Sequence, residues 1–146
     1  MNEVFLGGTC GNNRWREDIV IPGLKNNGVP EDAIFNPNLG PGQWNEEAQA
    51  LEDRVKRSCS LMVYYIGDPR DGTGVSPYSV VEATMALYDD QDRTLVVIES
   101  AGADDHTKKA LDKILLDWRR RFSNARIEQS LDELIMHIAE RIGQRT

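Results

Sequence analysis

The chain is poor in cysteine, in histidine and in long apolar runs. Its two cysteines among 146 residues, Cys10 and Cys59, make neither a disulfide framework nor a CxxC pair. Free thiols and a cytoplasmic setting are therefore expected. No apolar run approaches the ~20 residues that span a bilayer, so no membrane partner is expected. The start, Met1-Asn2-Glu3-Val4, has neither a basic n-region nor a long apolar stretch, and no secretory signal is read there. The two histidines fall in helical segments, and no His/Cys/Asp cluster has ligand spacing, so neither a metal nor another cofactor is expected. Gly-Lys-Ser/Thr, GxGxxG and Gly-x-Ser-x-Gly are all missing, which excludes a Walker A loop, a dinucleotide fingerprint and a hydrolase elbow. Positive charge is short as well: 17 Lys and Arg against 24 Asp and Glu leave a net charge of −7. That argues against a nucleic acid polymer as partner, but one pocket for a nucleotide needs only a few donors. Arg119-Arg120-Arg121 reads as decoration of a helix C-terminus, where cations are favoured.

What is present is a regular alternation of apolar and amphipathic segments. Val4-Phe5-Leu6 reads as a first strand ending in Gly7-Gly8. Residues 15–25 read as a helix that Pro22 kinks or ends, 32–36 as a second strand, and 44–58 as a helix with Ala48, Leu51 and Val55 at helical spacing. Residues 60–66 read as the third strand, 77–88 as a helix and 94–99 as the fourth strand. The helix expected over 105–122 carries Leu111, Ile114, Leu115 and Trp118 on one face. Residues 125–127 read as a fifth strand. Ser130 and Glu133 form a capping box for a last helix whose core face is Leu131, Leu134, Ile135, Ile138 and Ile142. This rhythm predicts one α/β domain over 1–146, a doubly wound, flavodoxin-like parallel sheet of five strands in the order 2-1-3-4-5, with helices on both faces.

The most informative stretch is Ser76-Pro77-Tyr78-Ser79-Val80-Val81-Glu82. Ser76 suits the cap of a helix and Pro77 its first turn. Ser79 and Glu82 lie three apart on one stripe. A carboxylate near the helix N-terminus, above the carboxyl end of a strand, stands where α/β folds bind ligands. There it serves as nucleophile or base; the plainer reading is a solvated helix residue. Gly7-Gly8-Thr9 after the first strand fits close backbone approach to an anion or sugar, and equally a tight turn. Trp44 fits a base-stacking ring or a hydrophobic anchor. The Gly/Pro loop from Asn36 to Gly42 reads as a binding loop or lid. Asp68 and Asp71 leave the third strand on the side of Glu82. Either would complement Glu82 in glycosidic chemistry, and either fits a solvated turn.

Val4-Phe5-Leu6-Gly7-Gly8-Thr9, Asn36-Pro37, Trp44, Val63-Tyr64-Tyr65-Ile66 and Ser76-Pro77-x-x-x-x-Glu82 together resemble the nucleoside 2-deoxyribosyltransferase-like proteins, over Val4 to about Ile98. The resemblance implies cleavage or transfer at the N-glycosidic bond of a nucleoside or nucleoside 5′-monophosphate. Glu82 would attack the anomeric carbon and form a glycosyl-enzyme intermediate. Ser76, six residues earlier, would help hold a 5′-phosphate. Gly7, Gly8, Thr9, Asn36, Trp44 and Ser79 would line the substrate, and a homo-oligomer is implied. Where relatives carry Ala-Asp before the third strand, this chain has Cys59-Ser60, so Asp68 is expected to supply the acid. Tyr78-Ser79-x-x-Glu82 also resembles the aromatic-Cys-x-x-Glu pattern of TIR-type NAD-cleaving domains. A nucleotide sensor without catalysis is the third reading.

Overall fold

The strands form because their residues are apolar on both sides. β3 (Leu61–Gly67) is buried along its whole length and β4 (Thr94–Glu99) along nearly all of it, as expected where helices cover both faces of a parallel sheet. The computed structural model describes residues 2–9, 14–38, 44–67 and 74–143. Its sheet has the strand order β2-β1-β3-β4-β5, with every neighbouring pair parallel. β1 is Val4–Gly8, β2 Ile34–Phe35 and β5 Arg126–Glu128. This is the expected flavodoxin-like α/β fold.

Alternate strand residues point to opposite faces, and so build two cores. Val4, Leu6, Val63, Tyr65, Leu95 and Val97 face a π-helical turn (Trp15–Val20), α1 (Ile21–Asn26) and α5 (Leu131–Gly143). Phe5, Met62, Tyr64, Ile66, Val96 and Ile98 face α2 (Glu46–Ser58), α3 (Pro77–Asp90) and α4 (Asp105–Arg121). The five expected core residues of α5 are all buried. Ser130 accepts from the Glu133 N–H at 3.2 Å, and its hydroxyl donates to the Glu133 carboxylate. No described helix is long and apolar enough to cross a membrane.

The structure decides between the two readings of Pro22 and corrects the bounds of two elements. Pro22 does not end the first helical segment, which runs on to Asn26. The Ile21 N–H bonds to the Arg16 carbonyl in the π-helical pattern, and Pro22, with no N–H to give, sits in the first turn of α1. The second strand is shorter than 32–36. Glu31–Ala33 coils into a 3₁₀ turn, closed by the Ala33 N–H on the Pro30 carbonyl, and only Ile34 and Phe35 pair with β1. Beside so short an edge strand the N-terminal half of α2 has little sheet to cover. Leu51 is therefore exposed, and Val55 is the buried residue of that helix. The same helix starts later than Trp44, because Asn45 is its cap and accepts from the Ala48 N–H at 2.8 Å.

Gly8 ends β1 at φ +114, and a Cβ there would stand 2.2 Å from the Tyr65 carbonyl oxygen and 2.4 Å from the Tyr65 nitrogen. Both atoms are backbone, so neither yields without breaking strand pairing. Gly8→Ala is expected to cost about 3 kcal/mol or more, read as a lower midpoint in urea denaturation.

Candidate functional site

In this strand order the chain reverses direction of travel between β1 and β3, and a crevice opens at their carboxyl ends. The β1 side of that crevice is held rigidly. The Thr9 N–H bonds to the Tyr65 carbonyl at 2.9 Å, and the Thr9 hydroxyl donates toward the carbonyls of Tyr65 and Gly67. Thr9 is buried, and its side chain serves strand pairing. Gly7 is bare because a Cβ would meet the rings of Phe5 and Tyr64, at 2.7 and 3.0 Å. Arg16 is fully buried and gathers three carbonyls of this strand end: Leu6 at 2.7 Å, Thr9 at 3.0 Å and Gly8 at 3.1 Å. The Trp15 indole N–H adds a second bond to the Thr9 carbonyl, at 2.9 Å.

Glu82 projects from α3 toward α2, over the sheet face, and the cavity it borders runs on to Met62, Asp90 and Arg93 at the amino ends of β3 and β4. Lys56 donates to Glu82 Oε2 at 3.1 Å, and both side chains are about one-fifth exposed. The Lys56 ammonium also lies 5.0 Å from the centre of the Phe5 ring, a cation–π distance. The pair forms part of the wall of a cavity of about 450 Å³ between α2 and α3, together with Gln49, Asp53, Tyr64 and Tyr78. Tyr64 is buried. Desolvation, reinforced by the negative charge of Glu82, pushes its phenol far above the ordinary range, so it stays protonated. Glu52 lies one turn before Lys56 on α2. Burial pushes its carboxyl above the usual value; Lys56 opposes the shift, while Glu82 and Asp53 add to it. Two carboxyl groups thus share one neighbourhood, and one of them resists ionisation.

The other expected residues divide. Ser79, on the Glu82 stripe, is buried beneath α3. Ser76 occupies the N-cap position of α3, but its side chain makes no capping bond, which leaves its hydroxyl uncommitted. Asn36 is outside the Glu82 cavity. With Asn38 it donates to Glu17 Oε1, beside a second cavity of about 630 Å³. Glu17 Oε2 is buried with no partner. Burial pushes the Glu17 carboxyl up, but hydrogen bonds from its own backbone, Asn38 and Asn36, with the charge of Arg16, hold it below its usual value. Trp44 is exposed ahead of α2 and reaches Gln49 at 3.3 Å. Asp68 and Asp71 lie outside the described residues, as does the loop from Cys10 to Asn13. Ser60 stands at the amino end of β3 and donates to the Glu3 carboxylate, so a carboxyl in its place would lie at the wrong end of the strand for the crevice. Among the described residues no three His, Cys, Asp or Glu side chains converge as a metal site.

Lys56, Glu52, Glu17 and Arg16 were not singled out from the sequence. The one available signal was the Glu52/Lys56 spacing of four on the helix before the central strand, and such pairs usually only decorate a surface. A conserved protein from Enterococcus faecalis V583, known from its crystal structure, is similar to this chain. The TM-score is 0.51 at 18% identity, covering 100% of this chain and 99% of that one. At that identity the likeness speaks for the fold. No protein-family model matches the chain, and no curated protein does.

The raised Glu52 carboxyl has a consequence for stability. The folded chain holds this proton to higher pH than the unfolded chain, so stability falls as pH rises from the unfolded value, near 4.5, through the folded one. Glu52→Gln removes that loss. The variant is expected to melt higher than the parent at pH 7.5, and the gap is expected to close at about pH 3, well below both titrations.

Proposed function

We propose that the chain cleaves, or transfers across, the N-glycosidic bond of a nucleoside or nucleoside 5′-monophosphate, with Glu82 as nucleophile. The observation that carries this reading is the Glu82–Lys56 pair on the wall of a cavity, beside Glu52, whose carboxyl is pushed up by burial and by the charge of Glu82. Displacement at an anomeric carbon needs one carboxylate to attack and one acid to give a proton, and neighbouring carboxyls with unlike environments meet that need. The resemblance of Ser76-Pro77-x-x-x-x-Glu82 to the deoxyribosyltransferase-like proteins points the same way.

In this mechanism Lys56 orients the Glu82 carboxylate. Glu82 attacks C1′ of the sugar, and the C1′–N bond breaks with its electron pair going to the base. Glu52 gives its proton to the departing base, and the sugar remains as an ester on Glu82. Water, or a second base, then attacks C1′ and restores the Glu82 carboxylate, while Glu52 takes up the proton released. Tyr64, protonated and on the wall of the same cavity, would offer its hydroxyl to the ring oxygen. Ser76 and the free N–H groups that begin α3 suit a 5′-phosphate. Asp68 is the other candidate for the proton.

Glu82→Gln is nearly isosteric but cannot attack C1′. Base release from a panel of nucleosides, monophosphates and NAD is expected to fall by about 10³-fold or more. Wild-type rates in this variant would end the glycosidic reading, and release from NAD alone would favour the TIR-type one. The proton donor is separated by leaving group. Glu52→Gln should slow release of an ordinary base by about 10²-fold and leave a p-nitrophenyl glycoside, which departs unprotonated, within a few-fold. The same pattern in Asp68→Asn, with Glu52→Gln unaffected, would assign the proton to Asp68.

A further inference from the structure

The Glu17 carboxylate is only half satisfied. Its Oε1 accepts from the side chains of Asn38 at 2.9 Å and Asn36 at 3.3 Å. Its Oε2 is shielded from solvent and has no donor. Burial opposes the charge, but hydrogen bonds from its own backbone and the two amides, with the charge of Arg16, outweigh burial and keep the carboxyl ionised. Arg16 gives Oε2 no bond, because its three nitrogens are turned to the carbonyls of Leu6, Thr9 and Gly8. An ionised oxygen with neither water nor donor is costly, and it calls for a partner. Glu17 stands on the wall of the cavity of about 630 Å³ between α1 and β2. We propose that this cavity binds a small organic cation, an ammonium or amidinium on a flat apolar body, with Glu17 as its counter-ion.

The lining sets the class of ligand. Ile21, Pro22 and Ile34 make one side apolar, and Ile21 and Ile34 also pack on the core beneath. Asn26 and Asn36 bring amides to the same cavity. Its charged residues are Glu17, Glu31 and Lys25. Lys25 donates to Glu31 at 3.3 Å, so those two cancel and the charge of Glu17 is left over. One positive charge on the ligand restores the balance. The last side-chain torsion of a glutamate is soft, which lets the carboxylate present either oxygen to a cation on that wall. A bare Ca²⁺ or Mg²⁺ takes a full shell of oxygens, and the three apolar side chains offer none. An anion would meet Glu17 and be repelled. The net charge of −7 draws cations toward the chain. The site is separate from that of Glu82. The two cavities share no residue, and they lie on opposite faces of the sheet, one beside each core. The proposal therefore stands whether or not the chain acts on a glycosidic bond.

Benzamidine carries the required charge on an apolar ring, and benzamide has nearly the same shape without the charge. Titration calorimetry of the full chain is expected to show saturable binding of benzamidine, with benzamide weaker by about tenfold or more. Glu17→Gln is nearly isosteric and is expected to remove that preference. No saturation by about 10 mM benzamidine, equal affinities of the parent for the two probes, or an undiminished preference in Glu17→Gln would each overturn the proposal. The position is read in the parent chain, so it does not depend on how the variant folds. Benzamidine is expected to shift the backbone amide NMR signals of Asn26, Ile34 and Asn36 and to leave those of Gln49 and Glu82 in place. Shifts confined to the Glu82 cavity would overturn the assignment to Glu17.

Discussion

A buried guanidinium holds this architecture at its functional end. Arg16 reaches the carbonyls of Leu6, Gly8 and Thr9 with three nitrogens, and its carbon lies 4.5 Å from the centre of the Trp15 ring. Burying a charge is costly, and charge-assisted bonds to several acceptors are what offset the cost. A planar fork with fixed donors meets three carbonyls at once, where a lysine ammonium would be a single point. The wide π-helical turn lets the successive residues Trp15 and Arg16 both face the strand end. Glu17, next in line, is then carried to the side, where Asn36 and Asn38 meet it.

The floor of the Glu82 cavity depends on an absence. Because Gly7 has no side chain, the Phe5 and Tyr64 rings approach β1 and each other, at 6.2 Å between centres. The Phe5 ring supports the Lys56 ammonium from one side, and Glu82 meets it from the other. A lysine so placed is neither fully solvated nor stranded. Its ammonium lies over the ring and on the cavity wall. The ion pair ties α2 to α3 above β3, so the two walls of the cavity are set by a contact that also orients the carboxylate.

Elements that bury one continuous face were legible in the chain. β4 was expected over 94–99 and is Thr94–Glu99. The α5 stripe from Leu131 to Ile142 was expected residue by residue and is buried as read. Periodicity reports burial directly, and in these segments nothing competes with it. It failed where neighbours decide. Leu51 has helical spacing, but the strand it would cover is two residues long. Thr9 stood among the residues that the resemblance put along the substrate, and its buried hydroxyl is committed to the Tyr65 and Gly67 carbonyls, between β1 and β3. Ser76 reads as a cap and holds the cap position without the cap bond. Glu82 could be singled out because a helix start after a central strand is a local pattern. Lys56 and Glu52 could not, because what matters about them is the distance from α2 to α3, which no spacing along the chain encodes.

The position of Glu82 around its helix connects these features. The inward stripe of α3 holds Ser79, Ala83 and Ala86, and the outward stripe holds Tyr78, Val81 and Met85. Glu82 falls on the border between them. Moved one residue inward, a carboxylate would lose water with no cation in reach, since Lys56 approaches from the α2 side. Moved one residue outward, it would interrupt an apolar seam and stand in open solvent. On the border it keeps a partner on one side and an open cavity on the other, which is the condition under which a carboxylate is both charged and approachable. A helix with a single apolar face would leave such a residue in full solvent. The second apolar face of α3 is therefore as much a part of the Glu82 environment as the sheet beneath it.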